Sequence, residues 1–162
     1  MTARSLKTRA VTNKRTGTDT QRAQAGCAKE SVVIPVQAHP LRVVDSITQL
    51  GATDAGCIAV SGSHGGISSA RYAIAARPLL SIFNDAGVGR DEAGIAALAM
   101  LQVEGLAGCT VAHSSARIGD ADSTLADGII SHLNALALGL HEGQPCSTAV
   151  SLAGADLSER RR

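Results

Sequence analysis

The chain has 162 residues, a formal net charge of +1 and two aromatic side chains, Tyr72 and Phe83, and its length can bury one real core. Residues 1–30 carry seven basic and two acidic side chains, residues 31–159 carry five arginines and twelve acids, and Arg160, Arg161 and Arg162 close the chain. An acidic body with no platform for stacking bases argues against nucleic acid as a partner, and no apolar stretch approaches the roughly 20 residues of a membrane span.

The N-terminus lacks the apolar core of a secretory signal, although its Arg- and Thr-rich, acid-poor composition is that of an organelle transit peptide. The four cysteines (Cys27, Cys57, Cys109, Cys146) are widely spaced, and Cys57 and Cys109 fall inside apolar runs. That usage fits a reducing, cytoplasmic setting. All lysines lie at or before Lys29. The body therefore has no lysine for a Schiff base or for a Walker-type phosphate loop.

In chain order, residues 1–30 read as an unfolded basic tail. Ser31–Val36 and Leu41–Val44 read as short β segments broken by Pro35 and Pro40, and Asp45–Leu50 as one helical turn. Cys57–Val60, Leu79–Phe83 and Gly108–Ala112 are too short and too apolar for amphipathic helices and read as buried strands. Ile67–Arg77 reads as an alanine-rich helix stopped by Pro78. Asp91–Glu104 reads as a second, with Asp91 and Glu92 in its first turn and Gly105 past its end.

Over Asp122–Leu140, the stripe Leu125, Ile129, Leu133, Leu136, Leu140 predicts one long helix. Ser147 is placed to cap a last helix over Thr148–Leu157. Strands alternating with helices predict a single three-layer α/β domain over residues 31–159 with a mostly parallel sheet. Its alanine-rich helices and acidic, apolar-rich body suggest a homo-oligomer.

Three polar loops follow the three strands. If the strands are neighbours, all three loops open at one sheet edge, where α/β proteins bind ligands. In Ser61–Gly66, the consecutive Gly65 and Gly66 precede a helix and suit an anion or a developing oxyanion, with Ser61, Ser63 and His64 beside them. A plain strand-to-helix turn competes with that reading. In Asn84–Gly89 a dinucleotide motif fails, because Glu92 occupies the place of the third small residue. Asn84 and Asp85 would face the cleft, or form an Asx turn.

In His113–Asp120, His113 suits general acid or base work and Arg117 a substrate carboxylate or phosphate, with Ser114 beside them. Asp120 would orient one of the two, or pair with Arg117 and cap the helix that follows. His132 falls close to the apolar stripe and reads as a satisfied core histidine, and His39 and His141 are assigned no role. His64, Asp85, His113 and Asp120 offer ligand atoms, yet no short-range metal spacing links them. No metal and no cofactor are assigned.

The residues together predict a small-molecule enzyme, catalytic through His64, His113, Asp85 and Asp120. Its partner would be a small-molecule anion or amide, bound by Ser61, Ser63, Gly65, Gly66, Asn84, Ser114 and Arg117. Hydrolysis of an amide-like C–N bond and proton abstraction beside a carboxylate both fit. The alternative is a non-catalytic small-anion-binding or accessory subunit.

Overall fold

The computed structural model describes residues 39–137 and 139–159. The expected tail over residues 1–30, the β segment Ser31–Val36 and the basic end at residues 160–162 lie outside the described residues.

Five strands form one sheet in sequence order: β1 (Leu41–Val44), β2 (Ile58–His64), β3 (Leu80–Asn84), β4 (Ala107–Val111) and β5 (Ile130–Leu133). Strands β1 to β4 are parallel, and β5 joins β4 antiparallel. Successive parallel neighbours joined by crossovers of one hand place their connections on one face. That face carries α1 (Ile67–Ala76) and α2 (Ala96–Val103), while α3 (Ala121–Asp127) and α4 (Cys146–Glu159) cover the other. The described residues form a three-layer α/β fold.

The apolar runs become central strands because both of their faces are covered. Ala59 and Phe83 pack with Ala70, Ala73, Ala97 and Leu101 under α1 and α2. Ile58, Val60, Leu80, Ile82, Cys109 and Val111 point the other way, toward Ala149 and Ala153 of α4. This is strand alternation with an apolar residue on each side, so hydropathy shows no period of two. Helix α1 ends where expected, with Arg77 left-handed at φ 52° ahead of the buried Pro78.

Three expectations are corrected. Asp91–Glu104 is not one helix: α2 begins only at Ala96, and Asp91 and Glu92 lie in a preceding 3-10 turn with φ of 55° and 57°. Their carboxylates therefore do not complement the dipole of α2. Asp122–Leu140 is not one helix either: α3 stops at Asp127, and Gly128 releases the chain into β5. The β-branched pair Ile129 and Ile130 favours that extended path. Leu125, Leu133 and Leu140 still pack against one core, but from α3, β5 and the segment between β5 and α4. Finally, Ser147 is the second residue of α4, whose first is Cys146, so it is no N-cap.

The turn expected over Asp45–Leu50 is a 3-10 turn at Ile47–Gln49, capped by the Ser46 hydroxyl. Among the described residues no helix is long and apolar enough to cross a membrane. His64, Asn84 and Val111, at the ends of β2, β3 and β4, are register partners across the sheet. The three polar loops therefore start side by side at the C-terminal edge.

Candidate active site at the sheet edge

Asp85 follows β3 directly and extends its ladder, its N–H donating to the Val111 carbonyl at 2.9 Å. Its buried carboxylate gathers donors on one oxygen. Oδ1 accepts from the N–H of Gly87 (2.8 Å), the N–H of His113 (2.9 Å) and Nδ1 of His113 (3.1 Å). Burial pushes the Asp85 carboxyl up. The Gly87 and His113 amides, the Ser131 hydroxyl and the His113 ring outweigh it and hold the group below its ordinary value.

An ionised carboxylate only accepts, so His113 donates from Nδ1, and Nε2 makes no hydrogen bond among the described residues. The side chain of His113 is 56 % exposed, so this nitrogen faces solvent while the other is held. Gly87, at φ 72°, runs alongside the ring: a Cβ there would lie 3.5 Å from Cε1.

An open concavity of about 530 Å³ begins at His113 and is lined further by Ser114, Arg117, Ser123 and Asp127. The loop that forms its wall is fixed from below. Asn84, fully buried, donates from Nδ2 to the Ala116 carbonyl at 3.0 Å and accepts the Ala86 N–H on Oδ1 at 2.9 Å. It is a strut between two loops, and its amide faces protein on both sides. The N–H of Arg117 donates to Ser123 Oγ at 3.2 Å, and the N–H of Gly119 donates to the Gly62 carbonyl at 2.6 Å.

Asp120 does not reach His113. Its side chain caps α3, accepting the Ser123 N–H at 2.8 Å, and it makes no ion pair with Arg117.

Ser61–His64, expected in a loop, are the last residues of β2, because the strand runs on past Val60, and Ser61–Gly66 as a whole is occupied in holding the fold. Ser61 Oγ accepts the Ser63 N–H (2.9 Å), and Ser63 Oγ accepts the Ile47 N–H (3.0 Å). The N–H of Gly65 donates to the Asn84 carbonyl, and its carbonyl accepts the Ala97 N–H, both at 2.8 Å. A Cβ on Gly65 would stand 2.7 Å from the Gly94 carbonyl oxygen, so this glycine serves a close backbone approach. His64 is exposed, its ring against Gly66. It ends β2, two strands from His113, a separation of about 10 Å at ordinary strand spacing. The two imidazoles stand at opposite ends of one edge and do not touch.

Three polar residues near the site have no role in the sequence reading, and a fourth, His132, expected as a satisfied core histidine, is half-buried and hydrogen-bonded on β5. Thr110 on β4 and Ser131 on β5 join hydroxyls at 3.1 Å, and His132 Nδ1 meets Ser131 Oγ at 3.1 Å. Asp127 closes α3 at the rim of the concavity. Ser131 and Asp127 escape the sequence reading, and His132 falls on the wrong element in it, because residues 122–140 read as one helix. The Gly128-Ile129-Ile130 step was the available signal against that reading.

The loop after Asp85 carries a further mark. Ala86, Val88, Asp91 and Glu92 all have φ between 49° and 65°, where non-glycine residues are rare and a β-branched one rarer still. Such strain concentrates at functional sites. Among the described residues no group of three or more His, Cys, Asp or Glu is placed to hold a metal ion. No family model matches the chain, and neither does any curated protein or solved structure.

Proposed function

We propose that the protein is a small-molecule enzyme in which His113, oriented by Asp85, moves a proton in a carboxylate-bearing substrate held by Arg117. The observation that carries this reading is the clamp on His113: one buried carboxylate binds both its ring and its backbone, and Nε2 is left free at the mouth of a cleft. That is the geometry of a positioned general base.

Of the two reactions that suit these residue types, proton abstraction beside the carboxylate fits better than amide hydrolysis. Hydrolysis would draw on the Ser61–Gly66 loop for a nucleophile or an oxyanion site. There the Ser63 hydroxyl is bonded to the Ile47 N–H, and the Gly65 N–H to the Asn84 carbonyl. In the favoured reaction the substrate C–H bond breaks and its proton bonds to His113 Nε2. The electron pair moves into the carboxylate, where Arg117 faces the added negative charge. The imidazolium then returns its proton to carbon as the electron pair comes back, or gives it to a group on the next carbon, whose bond breaks as that pair forms a carbon–carbon double bond.

The test is a thermal-shift panel of small carboxylic acids, followed by proton NMR of each binder in deuterated water. A stabilising acid should lose its effect with Arg117→Ala, and its C–H beside the carboxylate should exchange with wild type but not with His113→Ala. Stabilisation without exchange would make the protein an anion-binding subunit. An unchanged shift with Arg117→Ala would remove the carboxylate from this cleft.

A further inference from the structure

Asp127 lines the same concavity as Arg117. It is the last residue of α3, where the exposed carbonyls of the helix end disfavour a carboxylate. The hydrogen bond it makes is long, 3.4 Å from the Ser123 hydroxyl. Among the described residues the ion pairs are Arg42 with Asp54 and His113 with Asp85, so neither Arg117 nor Asp127 is neutralised by a partner.

One open cleft thus presents a guanidinium and a carboxylate that do not satisfy each other, with the Ser114 and Ser123 side chains alongside. A purely anionic ligand would be repelled by Asp127, and a purely cationic one by Arg117. A small molecule with both charges is attracted by both groups. The concavity is open to solvent, so a ligand can reach both charged groups at once.

We infer that this cleft takes a zwitterion of the amino-acid class, with its carboxylate on Arg117 and its ammonium group on Asp127. The inference rests on the proposed placement of a substrate carboxylate at Arg117, and it narrows the substrate to molecules bearing an amine as well.

Calorimetric titration of the full chain with the common α-amino acids tests it, each beside its des-amino acid and its decarboxylated amine. At least one amino acid should bind about tenfold more tightly than its des-amino counterpart, a difference of about 1.4 kcal/mol. Asp127→Asn, at an exposed position, should remove that preference, weakening the amino acid and tightening the des-amino acid, whose carboxylate is no longer repelled. If the des-amino acid binds wild type as tightly as the amino acid, or if the preference survives in Asp127→Asn, the zwitterion is overturned and the carboxylate reading stands. If neither class binds, or if Arg117→Ala alters neither affinity, both readings fail together.

Discussion

A single oxygen of Asp85 holds His113 twice, accepting the backbone N–H at 2.9 Å and the ring Nδ1 at 3.1 Å. The backbone bond fixes where the residue leaves β4, and the ring bond holds Nδ1 against the carboxylate. Neither bond alone would set both.

Removing that carboxylate should therefore cost stability as well as ring orientation. Asp85→Ala leaves the Gly87 and His113 donors without their acceptor, and a loss of about 3 kcal/mol in urea unfolding is expected from hydrogen bonds to a charged group. The acid limb provides a second check. Because the Asp85 carboxyl is held below its ordinary value in the fold, its contribution is complete above the unfolded value of about 4. It is lost as pH falls through the lower folded value. Wild type should lose more stability than Asp85→Asn over that acid interval, and equal acid limbs would contradict the hydrogen-bonding scheme.

Asn84 must donate to one loop and accept from the other. Asn84→Asp keeps the acceptor for Ala86 but sets a carboxylate against the Ala116 carbonyl. A loss of about 3 kcal/mol at neutral pH is expected for a buried, unpaired charge. The neutral acid can donate again, so the folded-state value of the new group is raised. Stability relative to wild type should then fall as pH rises above the unfolded value near 4. Paired urea titrations at pH 4.5 and 7 measure it, and a pH-independent deficit would refute the donor role.

At Gly62 the chain passes too close to its neighbours for any side chain. A Cβ there would stand 2.5 Å from Asp120 N, 2.6 Å from Gly119 C and 2.8 Å from Asp45 O, all of them backbone. Gly62→Ala should destabilise by about 2–3 kcal/mol, since backbone cannot rotate aside as a side chain can. The same change should speed hydrogen exchange at Gly119, whose N–H donates to the Gly62 carbonyl. A variant as stable as wild type would mean that the 113–120 loop is not seated on β2.

Cys57, Cys109 and Cys146 are free and buried. Burial raises all three thiols, Cys146 to about 12. The thiolate is the reactive form, so these three should resist iodoacetamide at pH 8 and react once urea unfolds the chain. Mass spectrometry of peptides from the native protein should find them unmodified. Rapid native labelling of Cys109 would contradict the packing under α4.

The alternation of apolar runs with alanine-rich helices was sufficient to read the three central strands, α1 and the layered fold. Those features follow from local composition: short apolar runs flanked by glycine or proline can be satisfied only between two layers. His113, Asp85 and Arg117 were also legible as candidate groups, because each follows an apolar run and has chemistry to offer. For Asn84 and Asp120 the sequence offers both a cleft role and the local bond that forms, the turn onto Ala86 and the cap on α3, and only the fold decides between them. The roles of Ser61 and Ser63 were not legible, since a polar side chain looks the same whether it faces a ligand or protein.

Tertiary structure decided what spacing could not. The stripe from Leu125 to Leu140 has the period of a helix, yet Gly128 and two β-branched residues gain more by adding an antiparallel strand to the edge of β4. Strand order came from pairing across the sheet, and it alone placed Asp85 against His113. It also made the Ser61–Gly66 loop a structural joint and set Asp127 in the same cleft as Arg117. A sequence states which groups a chain owns; the partners that occupy them are set by contacts between residues distant along it.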